Sequence, residues 1–170
     1  MKIRNGFVTN SSSSSFLIGY NDFEVLAKKV EKGIKDNICE QHYVEPEEVP
    51  EYVGEAVAQL LRSRITKGDI QKMFPHIKEE LFWVNRSTLV YKGKDIYETY
   101  SYKELRDKNS EVNKYLRGVV QKQIAELNRK MSHYKKFIYI TVEDHTPLGS
   151  TLEHDVLPKI TNVIYIEDNH

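Results

Sequence analysis

A run of six β-branched and aromatic residues constrains the fold more than any other segment. Residues 137–142 (FIYITV) hold no turn-forming residue and are apolar on both faces of an extended chain. Such a strand is stable only where both faces of its sheet are covered. Residues 163–166 (VIYI) share this character, and residues 16–20 (FLIGY) form a third apolar run. We predict a small sheet from these three segments, with 137–142 and 163–166 in central positions.

Helical patterns fill most of the remaining chain. Residues 22–35 place apolar side chains on one face at helical spacing, with Asn21 as the expected cap. A second helix is expected from Pro50, and a short third helix from Thr66 to Phe74-Pro75. Ser101 and Glu104 have the spacing of a capping box, which predicts a further helix start.

The longest pattern is a single apolar stripe of about six helical turns. Its positions follow one another at steps of three or four residues: Val112, Leu116, Val119, Gln123, Leu127, Met131 and Tyr134. We expect this helix to pack on the sheet. The alternative is a homodimer formed through residues 110–134.

Two short apolar runs in the middle of the chain resemble a hairpin. Residues 81–84 (LFWV) and 88–91 (TLVY) flank the turn-forming residues 85–87. We therefore predict an α+β fold with a β-hairpin near 81–91. With 170 residues and 39% hydrophobic residues, the chain fits one domain spanning 1–170, with a flexible serine-rich segment at 5–15.

Composition limits the function classes. The single cysteine, Cys39, excludes an internal disulfide and any multi-cysteine metal site. No apolar stretch approaches the roughly 20 residues of a membrane span, and we expect a cytoplasmic protein. Twenty-five Lys and Arg residues balance 25 Asp and Glu residues, which argues against nucleic acid as a partner.

The charges are nevertheless segregated along the chain. Residues 36–55 hold seven acidic residues and no Lys or Arg, whereas residues 103–136 hold ten basic residues against four acidic ones. Blocks of this kind face each other, face solvent or face a charged partner.

A run of five serines precedes the first predicted strand: Ser11, Ser12, Ser13, Ser14 and Ser15. Composition alone predicts a flexible segment, but apolar residues on both sides suggest a loop that is held at its ends. The hydroxyl and backbone N–H groups of such a loop can cradle an anion. We keep both a structural role and an anion site as interpretations.

The N-terminal string KIRNGFVTNSSSSSF at residues 2–16 resembles the opening of a loose group of small uncharacterised proteins. They occur in bacteriophages and bacterial mobile elements, and they share an Arg-x-Gly-Phe-Val-x-Asn signature followed by serines and Phe. The resemblance implies a phage or prophage context in a bacterial host cell and names no chemistry.

Histidines and carboxylates collect near the C-terminus. If strands 137–142 and 163–166 are parallel, the groups after each strand lie at one sheet edge. A divalent metal such as Zn²⁺, Mn²⁺ or Fe²⁺ would suit the candidate ligands Asp144, His145, Glu153, His154 and His170. The structural alternative explains Glu153 as the partner of Ser150 in a second capping box.

Four tyrosines after the predicted hairpin are the best candidates for a partner interface: Tyr91, Tyr97, Tyr100 and Tyr102. Because no catalytic signature is present, our first functional hypothesis is a phage-type accessory protein that binds a protein partner. The alternative is a metal-dependent hydrolase or nucleotide-binding enzyme at the C-terminal cluster. The first hypothesis expects the serine run and that cluster to lie far apart, or to hold no ligand together.

Overall fold

The computed structural model describes residues 13–169, apart from the side chains of residue 41 and residues 167–169. The strands are β1 (Ser13–Tyr20), β2 (Arg64–Ile65), β3 (Val90–Tyr91), β4 (Lys94–Asp95), β5 (Lys136–Glu143) and β6 (Val163–Asn169). The helices are α1 (Phe23–His42), α2 (Val49–Arg62), α3 (Lys67–Thr88), α4 (Ile96–Thr99), α5 (Tyr102–Arg106), α6 (Glu111–Met131) and α7 (Pro147–Ser150). A π-helix (Thr151–Val156) and a 3₁₀ turn (Leu157–Lys159) follow α7.

The chain divides into two compact units. The single domain spanning residues 1–170 stays a prediction. Among the described residues, unit 1 comprises 13–65 and 134–169, and unit 2 comprises 66–133. Among the described residues, no helix has the length and apolarity that a membrane span requires.

Unit 1 contains a four-stranded sheet in the order β2-β5-β1-β6, with every neighbouring pair antiparallel. The three predicted strands are present, and the α+β class is confirmed. The central positions belong to β5 and β1. The expectation that residues 163–166 are central is wrong, because β6 lies at the sheet edge and the side chain of Ile166 is 40% exposed.

The core of unit 1 joins one face of this sheet to α1, α2 and the segment after α7. Phe16 and Ile18 of β1 contribute to it together with Ile138 and Ile140 of β5. Leu17, which alternates to the opposite face of β1, is also fully buried. The sheet is therefore covered on both faces at its centre, as the apolar strands require.

Helix α1 is longer than the sequence predicted. Its cap is Asp22 rather than Asn21, since Asp22 Oδ1 accepts a hydrogen bond from the backbone N–H of Glu24 at 2.9 Å. Gly33 lies inside the helix and faces Val156 so closely that an added Cβ would lie 2.9 Å from Val156 Cγ1. The helix ends at His42, and the next residue, Tyr43, adopts a left-handed backbone with φ 55°.

The predicted hairpin near 81–91 is wrong in position. Residues 81–88 belong to α3, which begins at a capping box formed by Thr66 and Asp69 and continues through Pro75. The side-chain hydrogen bond from Thr66 lowers the pKa of Asp69. Ile70, Ile77 and Phe82 are buried on one side of α3, so the apolar run at 81–84 continues a helical stripe. The true hairpin is the short pair β3–β4.

In unit 2, the stripe helix α6 packs against α3. The expectation that it packs on the sheet stays a prediction. Most predicted stripe positions are buried, including Val112, Leu116 and Leu127. The polar break at Gln123 has a partner: Asn85 Nδ2 donates to Gln123 Oε1 at 2.7 Å, and Gln123 Nε2 donates back to Asn85 Oδ1 at 3.3 Å. This amide pair fixes the register between the two helices.

The amide pair gives a stability prediction. Gln123→Leu leaves the buried Asn85 amide without this partner, which should lower the free energy of unfolding by about 1–3 kcal/mol. The double variant Asn85→Leu/Gln123→Leu removes both polar groups and should recover most of that loss, as measured by urea unfolding. A double variant whose loss equals the sum of the single losses would contradict the pairing.

Candidate metal centre

The sheet places the start of β1, which carries the last serines of the run, beside the carboxyl ends of β5 and β6. Both strands are antiparallel to β1, so they run in the same direction and their carboxyl ends lie at one edge. Ser13 is opposite Glu143 of β5 and Asn169 of β6 in the backbone register. The sequence predicted this shared edge, although β1 separates the two strands.

Of the two outcomes that the first hypothesis expected, a large distance between the serine run and the C-terminal cluster is wrong for Ser14. The other outcome, that the two regions hold no ligand together, stays a prediction. Ser14 Oγ donates a hydrogen bond of 2.6 Å to Glu153 Oε1, across 139 residues of sequence. Both side chains are buried, with Ser14 at 3% and Glu153 at 4% exposure. The start of β1 therefore contacts the crossover that follows β5.

A tight turn returns the chain from β5 toward this contact. The hydroxyl of Thr146 caps α7 by accepting from the backbone N–H of Gly149 at 3.0 Å. Gly149 lies so close to the carbonyl oxygen of Glu143 that any Cβ at this position would overlap it. The turn holds Asp144 beside the segment that carries Glu153 and His154.

Glu153 and His154 lie in the π-helix, and they are adjacent in sequence. π-helical turns are rare and occur frequently at functional sites. Here the turn allows Glu153 to reach the interior while His154 remains exposed. The predicted capping box of Ser150 with Glu153 is wrong, because no side-chain cap bond forms at Ser150 and Glu153 bonds to Ser14 instead.

Three of the five predicted metal ligands come together. One ligand atom from each of Asp144, Glu153 and His154 lies within 4.8 Å of the other two. The three side chains span the range from buried Glu153 through partly buried Asp144 to exposed His154. A cation held among them would be anchored on its inner side and open to solvent on its outer side.

The second carboxyl oxygen of Glu153 is the unusual atom of the cluster. Oε1 accepts from Ser14, whereas Oε2 is buried and has no hydrogen-bond partner among the described residues. A buried polar atom without a partner costs free energy on the order of 1–3 kcal/mol. A cation bound to that oxygen would satisfy it.

The other two predicted ligands are outside this group. His145 Nδ1 lies 3.2 Å from Glu143 Oε2, and both side chains are more than half exposed. His145 lines a separate cavity of about 350 Å³ beside α2 and β5. His170 lies outside the described residues, so its assignment stays a prediction.

From Ser13 onward, the serine run forms a strand rather than the loop that we expected as an anion site. Ser13, Ser14 and Ser15 belong to β1. Ser15 Oγ lies 2.9 Å from Thr141 Oγ1 on the neighbouring strand, which is a cross-strand hydroxyl pair. Ser11 and Ser12 lie outside the described residues, so an anion site that includes them stays a prediction.

The four tyrosines predicted as a partner interface lie in unit 2 but do not form one cluster. Tyr91 packs against Tyr100 and Tyr115, with ring centroids 6.1 Å and 4.9 Å apart. Tyr97 and Tyr102 are 59% and 52% exposed and pair with arginines instead. Their role as a partner interface stays a prediction.

The donor set determines which ions fit. One imidazole nitrogen and two carboxylate oxygens suit Zn²⁺, Mn²⁺ or Fe²⁺ better than a soft ion that prefers sulfur. Three protein ligands leave at least one coordination position for water, which is the arrangement of catalytic rather than structural zinc sites.

Comparisons of this chain with protein-family models, curated proteins and solved structures found no match.

The Ser14–Glu153 bond predicts a difference between two neighbouring serines. Ser14→Ala removes the hydroxyl from a buried carboxyl group and should lower the free energy of unfolding by about 1.5–3 kcal/mol. Ser15→Ala removes a hydroxyl pair between neutral groups and should cost about 0.5–1.5 kcal/mol. Equal losses in urea unfolding would show that the Ser14 bond has no special strength.

Proposed function

We propose that unit 1 binds one divalent metal ion through Asp144, Glu153 and His154, and that the ion activates water for a hydrolytic reaction. The observation that most directly supports this proposal is the buried oxygen Oε2 of Glu153, which has no hydrogen-bond partner among the described residues. It belongs to a side chain whose ligand atom lies within 4.8 Å of those of Asp144 and His154.

The surroundings support a positioned ligand rather than a chance acidic cluster. Ser14 holds one oxygen of Glu153 from the first strand of the sheet, and Gly149 permits the tight turn that carries Asp144. Two separate parts of the chain therefore fix the ligands. Support of this kind orients ligands in metal sites and contributes to their affinity.

Hydrolysis is the reaction class that best suits these ligands. A divalent ion lowers the pKa of a bound water molecule and generates a nucleophile near neutral pH. His154 is exposed, so a substrate from solvent can reach the outer side of the site. The surface position favours a substrate that projects a single ester or phosphoester group toward the metal.

The first functional hypothesis, a phage-type accessory protein that binds a protein partner, stays a proposal beside this one. The signature at residues 2–16 that suggests a phage context lies mainly outside the described residues. The cytoplasmic location also stays a prediction. Metal binding is the better supported proposal because it rests on the positions of specific atoms, namely the unpartnered Oε2 of Glu153 and the grouped ligand atoms of Asp144, Glu153 and His154.

Metal titration tests the site. Calorimetry with Mn²⁺ and Zn²⁺ on tag-free protein should give one equivalent of bound metal, and His154→Ala or Glu153→Gln should weaken binding at least about tenfold. His145→Ala and Glu143→Gln are the matched controls, because these residues are neighbours outside the triad, and they should change the affinity less than about twofold. Equal effects of His145→Ala and His154→Ala would overturn the assignment.

A second assay tests the hydrolytic step separately. The Mn²⁺-loaded protein should hydrolyse bis(p-nitrophenyl) phosphate or p-nitrophenyl acetate, with activity lost in His154→Ala and retained in His145→Ala. Stoichiometric metal binding without activity on either compound would contradict the hydrolytic proposal and leave the metal site intact.

A further inference from the structure

Unit 2 contains a groove that the metal proposal does not use. Its volume is about 640 Å³, within the range of ligand-binding pockets. One wall is α3, the other is α6, and the segment from α5 onward closes one end. All residues that line it belong to unit 2.

The floor of the groove is mainly apolar, and the buried side chain of Asn113 also lines the groove. Phe82 and Leu105 are 7% and 0% exposed, and Val120 and Ile124 lie beside them on α6. A floor of this kind receives aliphatic or aromatic side chains of a ligand.

The rim of the groove is basic. It contains one acidic side chain, Glu79, and four cationic ones: Lys78, Arg106, Lys108 and Arg117. Among the described residues, none of these four forms an ion pair with a carboxylate. Glu79 is already engaged, since it accepts a hydrogen bond of 2.8 Å from Trp83 Nε1. With Glu79 counted against the four cations, the rim carries a formal net charge of +3.

Unit 2 as a whole also carries a net positive charge, like the rim of the groove. It contains fourteen Lys and Arg residues against nine Asp and Glu residues, a formal net charge of +5 in a chain whose total is zero. Opposite charge on a ligand would both attract it to this unit and orient it in the groove.

The ring faces of Trp83 at the rim and of the neighbouring Tyr102 already have partners. Trp83 and Tyr102 stack on each other at 5.3 Å with an interplanar angle of 6°, and Arg106 lies 4.6 Å from the centre of the Tyr102 ring. Arg86 lies 5.6 Å from the centre of the Trp83 ring. Single-stranded nucleic acid binds by stacking its bases on open aromatic faces, so this arrangement favours a different ligand.

We infer that this groove binds an acidic amphipathic helix of a partner protein, with apolar side chains on the floor and carboxylates on the four rim cations. The inference goes beyond the metal site and gives the expected protein partner a place and a chemistry. Helix-in-groove recognition uses apolar anchors at positions i, i+3, i+4 and i+7, which matches a groove between two helices.

Trp83 makes the inference directly measurable, because it is the only tryptophan of the chain and lines the groove. The probe is a synthetic 18-residue helical peptide with Leu at the anchor positions and Glu elsewhere on the helix. Its titration should change Trp83 fluorescence saturably, and raising the salt concentration should weaken binding. A matched peptide with Gln in place of every Glu should bind at least about tenfold more weakly.

Charge-matched protein variants localise the binding. Arg106→Gln/Lys108→Gln removes two exposed rim cations and should weaken the Glu peptide at least about tenfold. Lys103→Gln/Lys122→Gln removes the same charge from exposed positions that do not line the groove, and it should change the affinity less than about threefold. Circular dichroism confirms that both variants remain folded.

Four outcomes would overturn the inference. They are the absence of a fluorescence response to the Glu peptide, equal affinity for the Glu and Gln peptides, equal weakening by the two double variants, and tighter binding of a thymine oligonucleotide that displaces the peptide. Light scattering on the protein alone checks a further alternative. Self-association abolished by Arg106→Gln/Lys108→Gln would show that a second copy of this chain occupies the groove.

Discussion

The hydrogen bond from Ser14 to Glu153 ties the first strand of the sheet to the crossover after β5, and the candidate site depends on it. It holds one oxygen of a buried carboxyl group, and the second oxygen has no hydrogen-bond partner among the described residues. A ligand oxygen of the same carboxyl group lies within 4.8 Å of ligand atoms of Asp144 and His154. Burying a carboxyl group is unfavourable unless its oxygens gain partners. The sheet supplies one partner through Ser14, and the proposed metal supplies the other.

The architecture of the sheet explains why this contact forms. Strand β1 lies between β5 and β6 and antiparallel to both, so its first residues meet the ends of the other two strands. The serines therefore lie at the edge where the C-terminal histidines and carboxylates also collect. Two sequence features that were interpreted separately belong to one place in the fold, although they are more than 120 residues apart.

The sequence was informative wherever local chemistry determines structure. Strands β1, β5 and β6 follow from apolar β-branched runs. The helix start predicted at Thr66 and the capping box predicted at Ser101 both mark true helix starts. It failed where tertiary contacts decide: residues 81–84 have strand-like composition but continue the buried face of α3. Glu153 was likewise ambiguous, because the spacing to Ser150 indicates a cap while the actual partner, Ser14, is distant in sequence. The groove was missed because residues from three helices line it, and no local pattern reports that proximity.

The central claim is that Glu153 anchors a metal ion from inside unit 1. Anomalous diffraction from crystals soaked in MnCl₂, recorded on both sides of an absorption edge where the metal signal changes, tests it most directly by locating the ion. The account predicts one strong anomalous peak within coordinating distance, about 2.0–2.3 Å, of an oxygen of Glu153, with Asp144 and His154 completing the protein ligands. Strong peaks only at other carboxylates, with none at Glu153, would contradict it.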